Sequence, residues 1–161
     1  MEDREFIRLV EEYSGLVYRV AYCQLNNRAD ADDIMQDVFL ALYTYEKHFA
    51  DDGHVRAWLI RVTVNRCRNL LGSARYRTTV PIEAAENVPS QPQKSDSLLP
   101  VLSRLKPKYG VVLYLFYYEE YSVKEIASLL GIRQTAVTTR LSRARAQLKQ
   151  LLIKEGHDEL Q

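Results

Sequence analysis

The chain has 161 residues, 47% of them apolar and 27% charged, a composition that suits a folded globular protein and excludes a disordered one. The formal net charge of +1 excludes neither a nucleic-acid partner nor a basic one. Its distribution is uneven: residues 1–72 hold 9 basic and 12 acidic side chains, residues 98–161 hold 10 and 6, and such asymmetry points to two surfaces with two partners.

The opening "MEDREFIRLVEEYSG" is acidic and amphipathic, without the basic start and apolar core of a signal peptide. Phe6, Leu9, Val10, Tyr13, Leu16, Val17 and Val20 recur at three-four spacing, which predicts a first helix with one apolar face. Asn26 and Asn27 break it. A second helix is expected to open near Asp30 and to bury Ile34, Val38, Leu42 and Tyr45. Within "DADDIMQDVFLALY", Asp30, Asp33 and Asp37 share one face. Three readings compete for them. A solvated acidic first turn offsets the helix dipole. A docking face would take a basic partner. A metal site would need ligands from a second element, and the sequence offers no second cluster. Docking and the solvated face stand level on the residues alone.

Asp51, Asp52 and Gly53 read as a loop, followed by a third helix from about Val55 to Leu71 with Trp58, Leu59 and Val62 inward. Arg61, Asn65 and Arg68 line one face of that helix, with Arg66 and Asn69 beside it. Asparagine amides can read base edges and arginines can hold phosphate or stack on bases; a solvated polar face is the plainer alternative. Residues 73–97 contain three prolines and little periodicity, and read as an extended, flexible linker. The longest apolar run, Val111–Tyr118, is too short to span a bilayer, so a cytoplasmic protein, not inserted in a membrane, is expected. Cys23 and Cys67 form no CxxC pair and are expected as buried, reduced thiols. His48, His54 and His157 have no metal-ligand spacing, and no cofactor or metal is expected.

After Leu98–Leu105, a break at Lys106-Pro107 and a helix over Tyr109–Glu120, Ser122-Val-Lys-Glu125 forms a capping box. It predicts a helix that buries Ile126, Ala127, Leu129 and Leu130 and ends at Gly131 in the left-handed region. A second helix begins near Gln134, with Val137, Leu141, Ala144, Leu148 and Leu151 inward. Two helices joined by a short glycine turn form a helix-turn-helix. Residues 122–154 hold 7 basic side chains against the single Glu125. Solvated faces mix their signs; this one does not, and DNA is the partner that such charge fits. Thr135, Thr138, Thr139 and Ser142 are short enough to enter a major groove, with Arg143 and Arg145 toward phosphate. The expected class is all-α: two small helical domains, 1–72 and 98–161, joined by the 73–97 linker.

Four segments in this order, "DADDIMQDVFLALY", "RAWLIRVTVNRCRNLL", "LKPKYGVVLYLFYYEEYSVKEIASLLGI" and "AVTTRLSRARAQL", resemble a bacterial sigma factor of the extracytoplasmic-function group, in its minimal two-domain form. The resemblance implies a transcription initiation factor and no enzyme, with a wingless, winged-helix-like C-terminal domain. It implies docking on core RNA polymerase through Asp33, Ile34, Gln36 and Asp37, with Ile34 and Phe39 alongside or beneath that face. It assigns His54, Arg56, Arg61, Asn65, Arg66 and Asn69 to the −10 element, and gives the Phe49–Val55 loop capture of a flipped-out base. It assigns Arg133, Gln134, Thr135, Thr138, Thr139, Arg140, Ser142, Arg143 and Arg145 to the −35 element. It also implies promoter DNA and a dedicated anti-sigma factor as partners, and no small-molecule substrate. The chain departs from the family's common residues at Arg133, Thr135-Ala136 and Thr138, all on the DNA-facing surface. The rival readings are an autonomous helix-turn-helix regulator, which would normally dimerise on a palindrome, and a metal-dependent nuclease using the aspartates.

Overall fold

The computed structural model describes residues 1–73 and 98–160, with side chains through Glu155. The expected linker, after Ser73, lies outside the described residues. Those residues are helical, without a strand, and fall into two compact units.

In the first unit, α1 (Asp3–Leu25) starts with Asp3 and Glu5 in its first turn, where carboxylates favour the helix dipole. It ends at Asn26, whose φ of 51° is left-handed and whose N–H bonds the Tyr22 carbonyl. Asparagine tolerates that region better than most residues. Asn27 then caps α2 (Arg28–Tyr43), its side chain accepting the Asp30 N–H at 2.9 Å. The adjacent asparagines therefore close one helix and open the next, and α2 begins two residues ahead of Asp30. Tyr45 falls beyond α2 and is half-buried.

The third helix, α3 (Asp52–Gly72), also starts earlier than the sequence suggests. Asp51 is its N-cap and accepts the His54 N–H at 2.8 Å, so Asp52 and Gly53 form its first turn. The inward residues are Val55, Leu59, Ile60, Thr63, Val64 and Cys67, whereas Trp58 and Val62 are half-buried. "WLIRVTV" is apolar on more than one side of a helix, and packing against both α1 and α2 selects the face. The buried Thr63 hydroxyl donates to the Leu59 carbonyl at 2.6 Å, which satisfies its polar atom. Leu9, Val17, Val20 and Ala21 of α1 meet Ile34, Val38 and Leu42 of α2 in the same core.

In the second unit, α4 (Leu99–Leu102) is one turn long, and α5 (Pro107–Leu113) takes proline at its start, where no N–H is needed. The helix then widens into a π turn over Tyr114–Tyr118, with the Glu119 N–H reaching back to the Tyr114 carbonyl at 3.2 Å. Glu120, at φ 59°, reverses the chain. Both halves of the Ser122–Glu125 capping box are made, at 3.1 and 2.8 Å, and α6 (Val123–Leu130) ends at Gly131 with φ 69°. Then α7 (Gln134–Leu160) packs Val137, Leu141 and Ala144 against α5 and α6, with Leu148 and Leu151 half-buried. Arg104 is paired with Glu155, tying the end of the α4 segment to α7.

Candidate docking and nucleic-acid surfaces

On α2 the side chains of Asp33, Gln36 and Asp37 are exposed along one face. Ile34 is not part of it: it is 6% exposed, as is Phe39, and both lie beneath that face in the core. Ile34 supports the surface and is not available for contact. Sequence reading passes over Leu40, which is 65% exposed one turn beyond Gln36 and Asp37. Its signal is the spacing 33, 36, 37, 40, a face left outward once Val38 and Phe39 point in.

On α3, Arg61, Asn65, Arg66, Arg68 and Asn69 are all exposed, and Arg56 is half-buried. His54 is exposed and also ordered by its neighbours. Its Nδ1 accepts the Ala50 N–H at 2.9 Å and its ring meets Phe49 edge-on at 5.1 Å. An accepting Nδ1 places the neutral ring's proton on Nε2. Phe49 stacks on Tyr45 at 4.9 Å, and Trp58 lies 4.9 Å from Tyr45 and 5.8 Å from Phe49. This is where Trp58 goes instead of into the core. A cavity of about 570 Å³ opens between the α1 start and this connection, lined by residues including Met1, Glu5, Leu9, Tyr45, Phe49 and Asp51.

At the helix-turn-helix, Arg133, Gln134, Thr135, Thr138, Thr139, Ser142 and Arg143 are exposed together at the start of α7. The Arg133 carbonyl accepts the Val137 N–H at 3.1 Å, the first intrahelical bond of α7. Thr138 donates its hydroxyl to the Gln134 carbonyl at 3.1 Å, which leaves its oxygen as an acceptor. Arg140 is half-buried. Arg145 bonds the Tyr117 hydroxyl through Nε at 2.8 Å, and its guanidinium lies over the Phe116 and Tyr117 rings at 5.7 and 5.6 Å. A hollow beside the turn adds Lys124 and Ser128 of α6, which sequence reading left out although they stand four apart on the face next to Gly131.

Among the described residues, no three His, Cys, Asp or Glu side chains are grouped to hold a metal ion, and no helix is long and apolar enough to cross a membrane. Cys23 and Cys67 are free and buried, and burial pushes the Cys67 thiol up to about 12.

Residues 9–77 match the Sigma-70 region 2 family model, and residues 95–148 match Sigma-70, region 4. The chain belongs to the sigma-70 family. This sigma factor is 29% identical over 150 residues to the ECF RNA polymerase sigma factor SigM of Mycobacterium tuberculosis, covering 91% of this chain and 76% of that one. Its fold matches the sigma factor RpoE of Bartonella quintana, solved in complex with the anti-sigma factor NepR, at a TM-score of 0.64 and 20% identity, over 92% of this chain and 97% of that one. It also matches CnrH, solved with the cytosolic domain of CnrY, at a TM-score of 0.61 and 26% identity, over 95% and 90% of the two chains. The all-α, two-domain fold expected from the sequence agrees with both.

Proposed function

We propose that this sigma factor docks on core RNA polymerase through the outward face of α2, opens the −10 element with α3, and reads the −35 element with the start of α7. On this reading 1–72 and 98–161 are the functional domains, and 73–97 connects them. The observation that carries it is the pairing, in one chain, of an exposed acid-and-amide face on α2 with an exposed acid-free face on α7. A DNA-binding protein acting alone has no use for the first.

Asp33, Gln36 and Asp37 supply carboxylates and an amide to a basic partner, and Leu40 supplies apolar contact at the end of the same face. Asn65 and Asn69, with Arg61 and Arg66, face the opened strand. Thr135, Thr138, Thr139 and Ser142 reach base edges, while Arg133, Arg143 and Lys124 hold phosphate. His54 orders the connection before α3, and Arg145 braces α7 against the π turn; neither is assigned a direct DNA contact. The polymerase carries the chemistry of RNA synthesis, so the sigma factor is not an enzyme and works in the cytoplasm without a cofactor. A dedicated inhibitor protein that covers the α2 face would silence it. CnrH, solved with a cytosolic protein domain bound, supports an inhibitor of that kind.

Co-elution with bacterial core RNA polymerase on gel filtration tests the docking face. The wild-type chain co-elutes, and Asp33→Ala/Asp37→Ala elutes free with an unchanged helical spectrum. Co-elution of the double variant at wild-type level would move the docking surface elsewhere.

A further inference from the structure

Arg8 of α1 uses all five of its N–H donors. Nε and Nη2 grip the Glu5 carboxylate at 3.2 and 3.1 Å, Nη1 and Nη2 grip the Asp52 carboxylate at 3.2 and 3.1 Å, and Nη1 also reaches Glu12 at 3.1 Å. The Glu5 and Glu12 pairs are local to α1. The Asp52 pair spans 44 residues and joins α1 to the first turn of α3. Tyr13 makes a second tie to the same residue, its hydroxyl donating to the Asp52 carbonyl at 3.4 Å. Exposed single ion pairs contribute little. This one is a double fork, with one cation holding three carboxylates that would otherwise repel.

The tie continues into the connection before α3. Asp51, next to Asp52, caps His54; His54 accepts from Ala50; and Phe49, Tyr45 and Trp58 stack behind. We propose that Arg8 is a positioning residue for promoter opening: by locking the first turn of α3 to α1, it holds the aromatic connection in the geometry that receives an unstacked base. The proposal rests on the −10 reading of this unit given above. Taking a base out of the stack is costly, so a receiving surface ordered beforehand gains most. Removing Arg8 frees Glu5, Glu12 and Asp52 to repel, and the turn moves off α1.

The test compares wild type with Arg8→Ala, Arg8→Lys, Asp52→Asn and Arg8→Ala/Asp52→Asn as full chains bound to core polymerase. Opening is read by 2-aminopurine placed in the −10 element of a promoter recovered by run-off selection with the wild-type holoenzyme. The single tryptophan, Trp58, reports the connection in the free protein through acrylamide quenching. Arg8→Ala should increase quenching and lower the opening rate at least about fivefold, since small misplacements are expensive in preorganised sites. Its core affinity and helix content should match wild type. Asp52→Asn added to Arg8→Ala relieves the repulsion and should restore part of the opening, and Arg8→Lys should fall between. Opening and quenching at wild-type level in Arg8→Ala would overturn the proposal. So would a loss that tracks lost core affinity or lost helix content, or one that Asp52→Asn fails to relieve. A wild-type holoenzyme that captures no opened strand would instead remove the −10 reading, and the proposal with it.

Discussion

Arg143 and Arg145 stand two residues apart on α7 and meet different surroundings. Arg143 projects into solvent, whereas Arg145 is held by Tyr117 and the Phe116 ring. Arg143→Ala should therefore weaken holoenzyme binding to every promoter alike and reduce the salt slope by about one, read from affinity across a salt series. A base-specific loss would mean that Arg143 reads sequence. The two arginines look alike in the sequence because the partner of Arg145 lies 28 residues away; contacts of that range leave no trace in local periodicity. Ile34 is a related case: it adjoins the acidic face in sequence but turns beneath it into the core. Cys67 was legible, as an isolated thiol on an apolar face. It should resist alkylation at pH 8 in the folded chain and react on unfolding. Its thiol is raised on folding, so its contribution to stability is complete below the unfolded value and is lost as pH rises toward about 12. Denaturation midpoints of wild type and Cys67→Ala across alkaline pH should converge if this is right.

At the scale of elements, signals that act over three or four residues were read correctly. Ser122 and Glu125 make the box that their spacing announces, and Gly131 takes the left-handed turn. Ser122→Ala should cost about 1 kcal/mol, seen as roughly fivefold faster hydrogen exchange in the first turn of α6; an unchanged rate would show that the cap is redundant. The start of α3 was misplaced because Asp51-Asp52-Gly53 has turn composition, and only the cap bond to His54 shows which aspartate ends the turn. Trp58 was misplaced because neighbouring apolar residues leave the face of α3 undetermined. The π turn over Tyr114–Tyr118 was read as plain helix. Its widening goes with side-chain contacts of the turn itself, the Tyr114 hydroxyl on Glu119 and the Tyr114 ring stacked on Tyr118, which no window of apolar spacing encodes.

At the scale of the molecule, the near-neutral total charge conceals an acidic N-terminal part and a basic C-terminal one. On the proposed reading two separate modules share the promoter, so the free protein should bind promoter duplex weakly, and tight binding should require core polymerase to hold the two surfaces in place. Charge and motif order suggest that division of labour, whereas they leave open the promoter sequence, which on the proposed reading the side chains at the start of α7 would set. Run-off transcription measures the central claim most directly. Core RNA polymerase with this chain should start RNA at discrete sites on genomic DNA, core alone should not, and Asp33→Ala/Asp37→Ala should abolish the starts. Transcripts that are the same with and without the chain, on templates it is shown to bind, would contradict the account.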